Sequence, residues 1–153
     1  MKKTVITYGI YGLTLALALF LSGLYFGQGM DFSTQEVIGY VTMVACLSFV
    51  FFGIKHFRDK ENNGEITFGK AVLIGVLISA ITALGITIAD FIYTTSINPD
   101  FFKEYTAVMR AQGYEGEIPD YGSGFMAFIM FVTVLIIGLI ISLISALILQ
   151  RKN

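Results

Sequence analysis

The chain has 153 residues, of which 56% are hydrophobic and 14% charged, and its formal net charge is -1. A mean hydropathy of +0.76 excludes a soluble domain, and the length excludes more than one compact unit. We therefore predict a single integral membrane domain over residues 1–153, with no nucleic-acid partner.

Four segments of the chain contain no Asp, Glu, Lys, Arg or His, and they cover residues 4–30, 37–54, 71–89 and 121–150. A helix rises about 1.5 Å per residue and the hydrocarbon core of a bilayer is about 30 Å thick, so each segment is long enough to cross it. We predict an all-α, polytopic membrane protein built as a bundle of four transmembrane helices. The predicted spans are, approximately, 5–27, 37–56, 70–92 and 124–149.

The short segment between the first two spans contains a helix-start signal. Ser33 is followed three residues later by Glu36, which is the spacing of a capping box, in which two side chains bond free backbone N–H groups. This pattern predicts Ser33 as the N-cap of the second helix. Because the connection is short, we expect the first two spans to form a helical hairpin.

The segment between the second and third spans mixes basic and acidic residues around a turn signal. Residues 62–64 read Asn-Asn-Gly, and both residue types tolerate the positive φ of a tight reversal. We interpret this segment as a solvated loop that sets the topology. The alternative is a binding site for anionic lipid or nucleotide.

A short external amphipathic helix is predicted between spans three and four, at about residues 98–113. Asn98 is the predicted N-cap and Pro99 the first helical residue, where a missing N–H has no cost. Apolar residues then recur at helical spacing until Gly113, which predicts the stop. The apolar face is expected to rest on the membrane, to cap the bundle or to bind a partner.

The charged residues are distributed unequally along the chain. Eight of the 10 basic residues precede span one, lie between spans two and three, or follow span four: Lys2, Lys3, Lys55, Arg58, Lys60, Lys70, Arg151 and Lys152. Eight of the 11 carboxylates lie in the other segments: Asp31, Glu36, Asp90, Asp100, Glu104, Glu115, Glu117 and Asp120. Because basic residues stay on the cytoplasmic side during insertion, both termini are predicted to be cytoplasmic.

Small residues recur at four-residue spacing in the last two spans. The stripes are Ala71, Gly75, Ser79 and Ala83 in span three, and Gly138, Ser142 and Ala146 in span four. Small side chains let helices approach closely in lipid, where packing rather than hydrophobic exclusion drives association. We predict that these residues form helix-packing contacts within the bundle, with a seam between copies of the chain as the alternative.

Few side chains suggest chemistry. His56 is the only histidine and has no second metal ligand near it in the sequence, and Cys46 lies inside an apolar span. We expect no catalytic residue, no bound metal, no cofactor and no enzymatic activity. Asp90, at the outer end of span three, is the one candidate functional acid, because an ionisable group inside a membrane often marks an ion or proton site.

Parts of the chain resemble a known family. The relevant residues run from Gly53 to Lys60, continue from Gly64 to Ala71, and include Asn98 to Phe101. With these signatures the chain resembles an uncharacterised bacterial four-span membrane family, the domain-of-unknown-function family 4199. The resemblance implies an architecture and a bacterial cytoplasmic membrane location, but no mechanism and no catalytic residue.

The sequence is consistent with two hypotheses about function. The first is a structural or interaction component of the bacterial cytoplasmic (inner) membrane, partnered by the lipid bilayer and by another membrane protein or a second copy of itself. The second is a small transporter or channel-like protein that uses Asp90.

Overall fold

The computed structural model describes residues 1–151, so Lys152 of the predicted basic set lies outside the described part of the chain. It contains five α-helices: α1 (Lys2–Phe26), α2 (Phe32–His56), α3 (Phe68–Ile92), α4 (Phe101–Ala111) and α5 (Gly122–Leu149). Residues 1–151 contain no β-strand. The four long helices, α1, α2, α3 and α5, are long and apolar enough to cross a membrane. The predicted all-α class is confirmed.

Two of the long helices continue beyond their α-helical parts. A π-helical turn, Phe57–Glu61, follows α2, and another, Tyr93–Ile97, follows α3. Each of these helices therefore runs for 30 residues. The extension of α3 matters for Asp90, because helix continues on both sides of that residue.

The start of α2 differs from the prediction. The N-cap is Asp31, whose carboxylate accepts hydrogen bonds from the Thr34 backbone N–H at 2.9 Å and from the Thr34 hydroxyl at 2.8 Å. The predicted capping box of Ser33 and Glu36 was therefore wrong, since both residues lie inside the first turns. The Asp31 carboxylate accepts a hydrogen bond from a backbone N–H of the first turn that has no partner within the helix. This is the role that the Ser33 side chain was predicted to have.

The start of α4 also differs. The helix begins at Phe101 with Asp100 as N-cap, so the prediction of Asn98 as cap and Pro99 as first residue was wrong. Asn98 instead ends the preceding helix, because its backbone N–H donates to the Tyr93 carbonyl at 2.8 Å. The predicted stop agrees with the structure: α4 ends at Ala111, and Gly113 has a φ of +87°.

Helix α3 is the centre of the bundle and packs against α1, α2 and α5. Its buried residues lie on several sides of the helix, and many are small, such as Ala71, Gly75, Ala83 and Gly85. Helix α5 by contrast exposes a broad apolar surface that includes Phe128, Ile136 and Leu147. Apolar residues facing outwards in this way are expected of a helix that contacts lipid.

The two ends of the bundle differ in charge. At the first, which we name the basic end, the start of α1 meets the end of α2, where the Thr4 hydroxyl donates to Glu61. The ends of α2 and α5 also meet there, since Arg58 Nη1 donates to the Leu149 carbonyl at 3.3 Å. Ile66 and Arg151 exchange two backbone hydrogen bonds of 3.0 Å. The opposite end, which we name the acidic end, carries α4.

Candidate functional site

The two predicted small-residue stripes face each other across the contact between α3 and α5. An added Cβ at Gly138 would lie 2.5 Å from the Ser79 hydroxyl oxygen, and one at Gly75 would lie 2.7 Å from the Ser142 Cβ. Each helix therefore places a glycine against a serine of the other. Ala71, Ala83 and Ala146 are fully buried.

Both serine hydroxyls at this contact are satisfied within their own helices. Ser79 Oγ donates to the Gly75 carbonyl at 2.8 Å, and Ser142 Oγ donates to the Gly138 carbonyl at 2.6 Å. Such back-bonding leaves the serine side chain compact, so two backbones can approach closely without leaving a buried donor unpaired. Both stripes are therefore used in the contact between α3 and α5 and are not exposed on the surface of the bundle.

Asp90 lies on α3, where the helix continues for seven more residues to Ile97. Within residues 1–151 its carboxylate makes no hydrogen bond and no ion pair, although its backbone carbonyl accepts from the Thr94 hydroxyl at 3.0 Å. One turn earlier, the buried Thr87 hydroxyl also has no hydrogen-bond partner. A carboxylate without a hydrogen-bond donor or an ion-pair partner has oxygen atoms free to take up a proton or a cation.

The acidic end contains an open cavity of about 310 Å³ between the start of α2, the π-turn after α3, and α4. Its lining includes three aromatic residues, Phe32, Tyr93 and Phe101, and four polar residues, Gln28, Gln35, Asn98 and Glu104. We refer to it below as the acidic-end cavity. The sequence alone does not predict it, because the cavity depends on how α4 folds back towards α2 and the end of α3.

Aromatic contacts hold α4 in this position. The Phe101 ring packs edge-to-face on Phe32 and on Tyr93, with ring centroids 5.7 Å apart in both pairs. Tyr105 packs on Phe32 at 5.7 Å as well. No residue of α4 is fully buried, so this helix lies on the outside of the bundle and is attached mainly through its first half. Resting on the membrane, capping the bundle and binding a partner all stay predictions for the apolar face of α4.

Two exposed charged groups near this end have shifted pKa values. The hydrogen bonds from Thr34 lower the pKa of Asp31. The Asp100 carboxylate, which accepts a hydrogen bond from Lys103 Nζ at 2.8 Å, raises the pKa of Lys103. Lys103 is therefore paired with Asp100, which lies outside the lining of the acidic-end cavity.

Cys46 and His56 both pack against other residues of the bundle. Cys46 is fully buried in α2, and the His56 ring packs against Tyr8 with centroids 5.6 Å apart. Among residues 1–151, no group of three or more His, Cys, Asp or Glu side chains is placed to hold a metal ion.

Four long apolar helices packed around α3, with a short amphipathic helix over one end, define a helical transmembrane bundle. Residues 7–151 match the family described as Protein of unknown function (DUF4199), and the chain belongs to this family. No curated protein and no solved structure matches the chain. The match over residues 7–151 confirms the membership of domain-of-unknown-function family 4199 that the sequence motifs indicated.

Proposed function

We propose that the protein is a non-catalytic structural or interaction component of the bacterial cytoplasmic membrane, and that its partner is another membrane protein. The observation that carries this proposal is the use of polar and small residues inside the bundle. Ser79 and Ser142 bond to their own helices, and the glycines beside them bring α3 and α5 into close contact. Such close contacts stabilise the bundle as one packed unit, which supports a structural role.

The proposed orientation places the basic end in the cytoplasm and the acidic end outside. Support comes from the charge distribution, because Lys and Arg residues beside transmembrane helices are retained on the cytoplasmic side. The structure gathers Lys55, Arg58, Lys70 and Arg151 at the ends of helices that meet at the basic end. In this orientation α4 lies on the external side.

We place the partner contact on the second half of α4. Phe101 and Tyr105 attach the helix to the bundle, whereas Val108 and Met109 lie beyond these attachments and are only half-buried. An external amphipathic helix with apolar side chains left over is suited to pack against a neighbouring membrane protein.

Site-specific photocrosslinking in intact cells tests this proposal. A photoreactive residue at Met109 is expected to give one discrete protein adduct that recurs between preparations. The matched control is Ala107, an exposed residue two positions earlier on a different side of the same helix. The absence of an adduct from Met109, or equal adducts from both positions, would contradict a specific partner at this surface.

A second function, transport by a small channel-like protein, is favoured by the position of Asp90. Because the helix continues to Ile97, this carboxylate lies about two turns inside the helix end. Ionisable residues at such depth commonly bind the coupling ion or proton of transporters.

Reconstitution into liposomes distinguishes the two functions. The transport hypothesis predicts a flux of protons or small cations that is lost in Asp90→Asn. It should persist in Asp100→Asn, which removes an exposed carboxylate already paired with Lys103. The scaffold proposal predicts no flux above that of protein-free liposomes for any of the three proteins.

A further inference from the structure

Among residues 1–151, Glu104 is the only charged residue in the lining of the acidic-end cavity. One of its carboxylate oxygens accepts a hydrogen bond from Asn98 Nδ2 at 3.1 Å, which fixes its position while leaving the other oxygen free. No Lys or Arg of the described part of the chain lines the cavity, so the Glu104 carboxylate has no basic residue beside it there. The cavity therefore favours a positively charged occupant.

Aromatic residues supply a second feature of the same cavity. Phe32, Tyr93 and Phe101 belong to its lining, and Phe101 contacts both of the others edge-to-face. In an edge-to-face pair the edge of one ring covers the face of the other, so only part of the Phe32 and Phe101 ring surface is open to the cavity. Aromatic faces attract alkylated ammonium ions, which lose little hydration when they enter such a site.

Tyr93 adds a hydroxyl group that is not fully used. The residue is only 2% exposed, and its hydroxyl oxygen lies 3.5 Å from Asn98 Nδ2, which donates to it. Among residues 1–151 no acceptor for the hydroxyl proton of Tyr93 lies within hydrogen-bonding distance. A ligand oxygen in the cavity would supply that acceptor.

The volume of the cavity limits the size of the occupant. About 310 Å³ is far more than a single metal ion fills and lies at the lower end of the range for small-molecule sites. We propose that the acidic-end cavity binds a small organic ammonium ion, with Glu104 opposite the charge and Phe32 and Phe101 beside the alkyl groups. This site is independent of whether α4 also contacts a protein partner.

Calorimetric titration of the purified full chain in detergent tests the site, with choline chloride as the probe. Choline combines a quaternary ammonium with a hydroxyl, so it can satisfy both the carboxylate and Tyr93. We expect saturable binding to the wild type and a dissociation constant at least about tenfold higher for Glu104→Gln. Sodium chloride at the same concentration should not displace choline.

Two further variants keep the result interpretable. Glu115→Gln removes one exposed carboxylate from the same external segment but outside the cavity lining, and its choline affinity should equal that of the wild type. Phe101→Leu keeps an apolar side chain but removes an aromatic face, and it should weaken binding severalfold. A helical circular-dichroism spectrum equal to that of the wild type shows that each variant is folded.

Several results would overturn the proposal. They are a wild type that does not saturate with choline, equal affinity in the wild type and Glu104→Gln, or displacement of choline by equimolar sodium. Equal weakening by Glu104→Gln and Glu115→Gln would also overturn it, because that result indicates attraction by the overall negative charge of the acidic end.

Discussion

Gly85 of α3 lies directly against the main chain of Leu13 in α1. An added Cβ at Gly85 would stand 2.7 Å from the Leu13 carbonyl oxygen and 2.9 Å from its Cα. Gly12, the neighbour of Leu13, in turn contacts the Thr82 side chain. Helices α1 and α3 therefore approach backbone to backbone at this crossing, on a different side of α3 from the contact with α5.

Substitution of Gly85 by alanine is expected to destabilise the bundle by about 1–3 kcal/mol. The reason is that the obstructing atoms belong to the backbone of another helix and cannot rotate away. The measurement is the melting temperature in detergent, followed by circular dichroism. Gly39→Ala is the control, because this helical glycine has nothing within 4 Å of its added Cβ. There the higher helix propensity of alanine should leave stability unchanged or raised.

The paired glycines and serines between α3 and α5 predict a compensating double substitution. Gly75→Ala should lower the melting temperature, since its Cβ would overlap the Ser142 side chain. Ser142→Gly removes that side chain and should recover part of the loss. Recovery will be incomplete because the same Cβ also meets Val50 Cγ1 at 3.0 Å. A double-mutant cycle measures the coupling, and purely additive effects would contradict a direct contact.

The sequence was informative where a property is local to one segment. Uncharged length located the long helices, and the four-residue spacing of small residues placed Gly75 and Ser79 on one face of α3. The sequence was less informative about features that depend on tertiary structure, such as the residue that caps each helix. Asp31 and Ser33 both have side chains suited to capping α2, and Asn98 and Asp100 are both suited to capping α4. Which residue of each pair is the cap depends on the backbone conformation at the start of the helix.

Neither the crossing at Gly85 nor the acidic-end cavity was predicted, because both depend on contacts between distant segments of the chain. Gly85 lies outside the stripe that begins at Ala71, so no periodic pattern marks it as a contact. Phe101 was recognised as part of an apolar helix face, but its partners Phe32 and Tyr93 come from distant segments. Only the fold-back of α4 brings these rings together with Glu104.

The capping role of Asp31 predicts a pH dependence of stability. Its pKa is lowered in the folded protein by hydrogen bonds from Thr34, so folding favours the ionised form. The stabilisation is therefore complete above the ordinary pKa of aspartate, about 3.9, and is lost as the pH falls below that value through the lowered folded pKa.

Melting temperatures of the wild type and Asp31→Asn at a series of pH values measure this effect. Asparagine still accepts a hydrogen bond at an N-cap but does not titrate. The wild type should be the more stable of the two at neutral pH, and the difference should decrease as the medium becomes acidic. A difference that is constant with pH would assign the effect to a cause other than ionisation of Asp31.

Cysteine labelling tests the proposed orientation with little interference from the native thiol, because Cys46 is fully buried. Lys60→Cys places a thiol at the basic end, and Glu117→Cys places one in the exposed segment between α4 and α5. In intact cells stripped of any outer barrier, a membrane-impermeant maleimide should label Glu117→Cys and not Lys60→Cys. After permeabilisation both should react, and the unaltered protein should remain unlabelled throughout. Labelling of Lys60→Cys alone in intact cells would reverse the proposed orientation, since the two positions lie at opposite ends of the bundle.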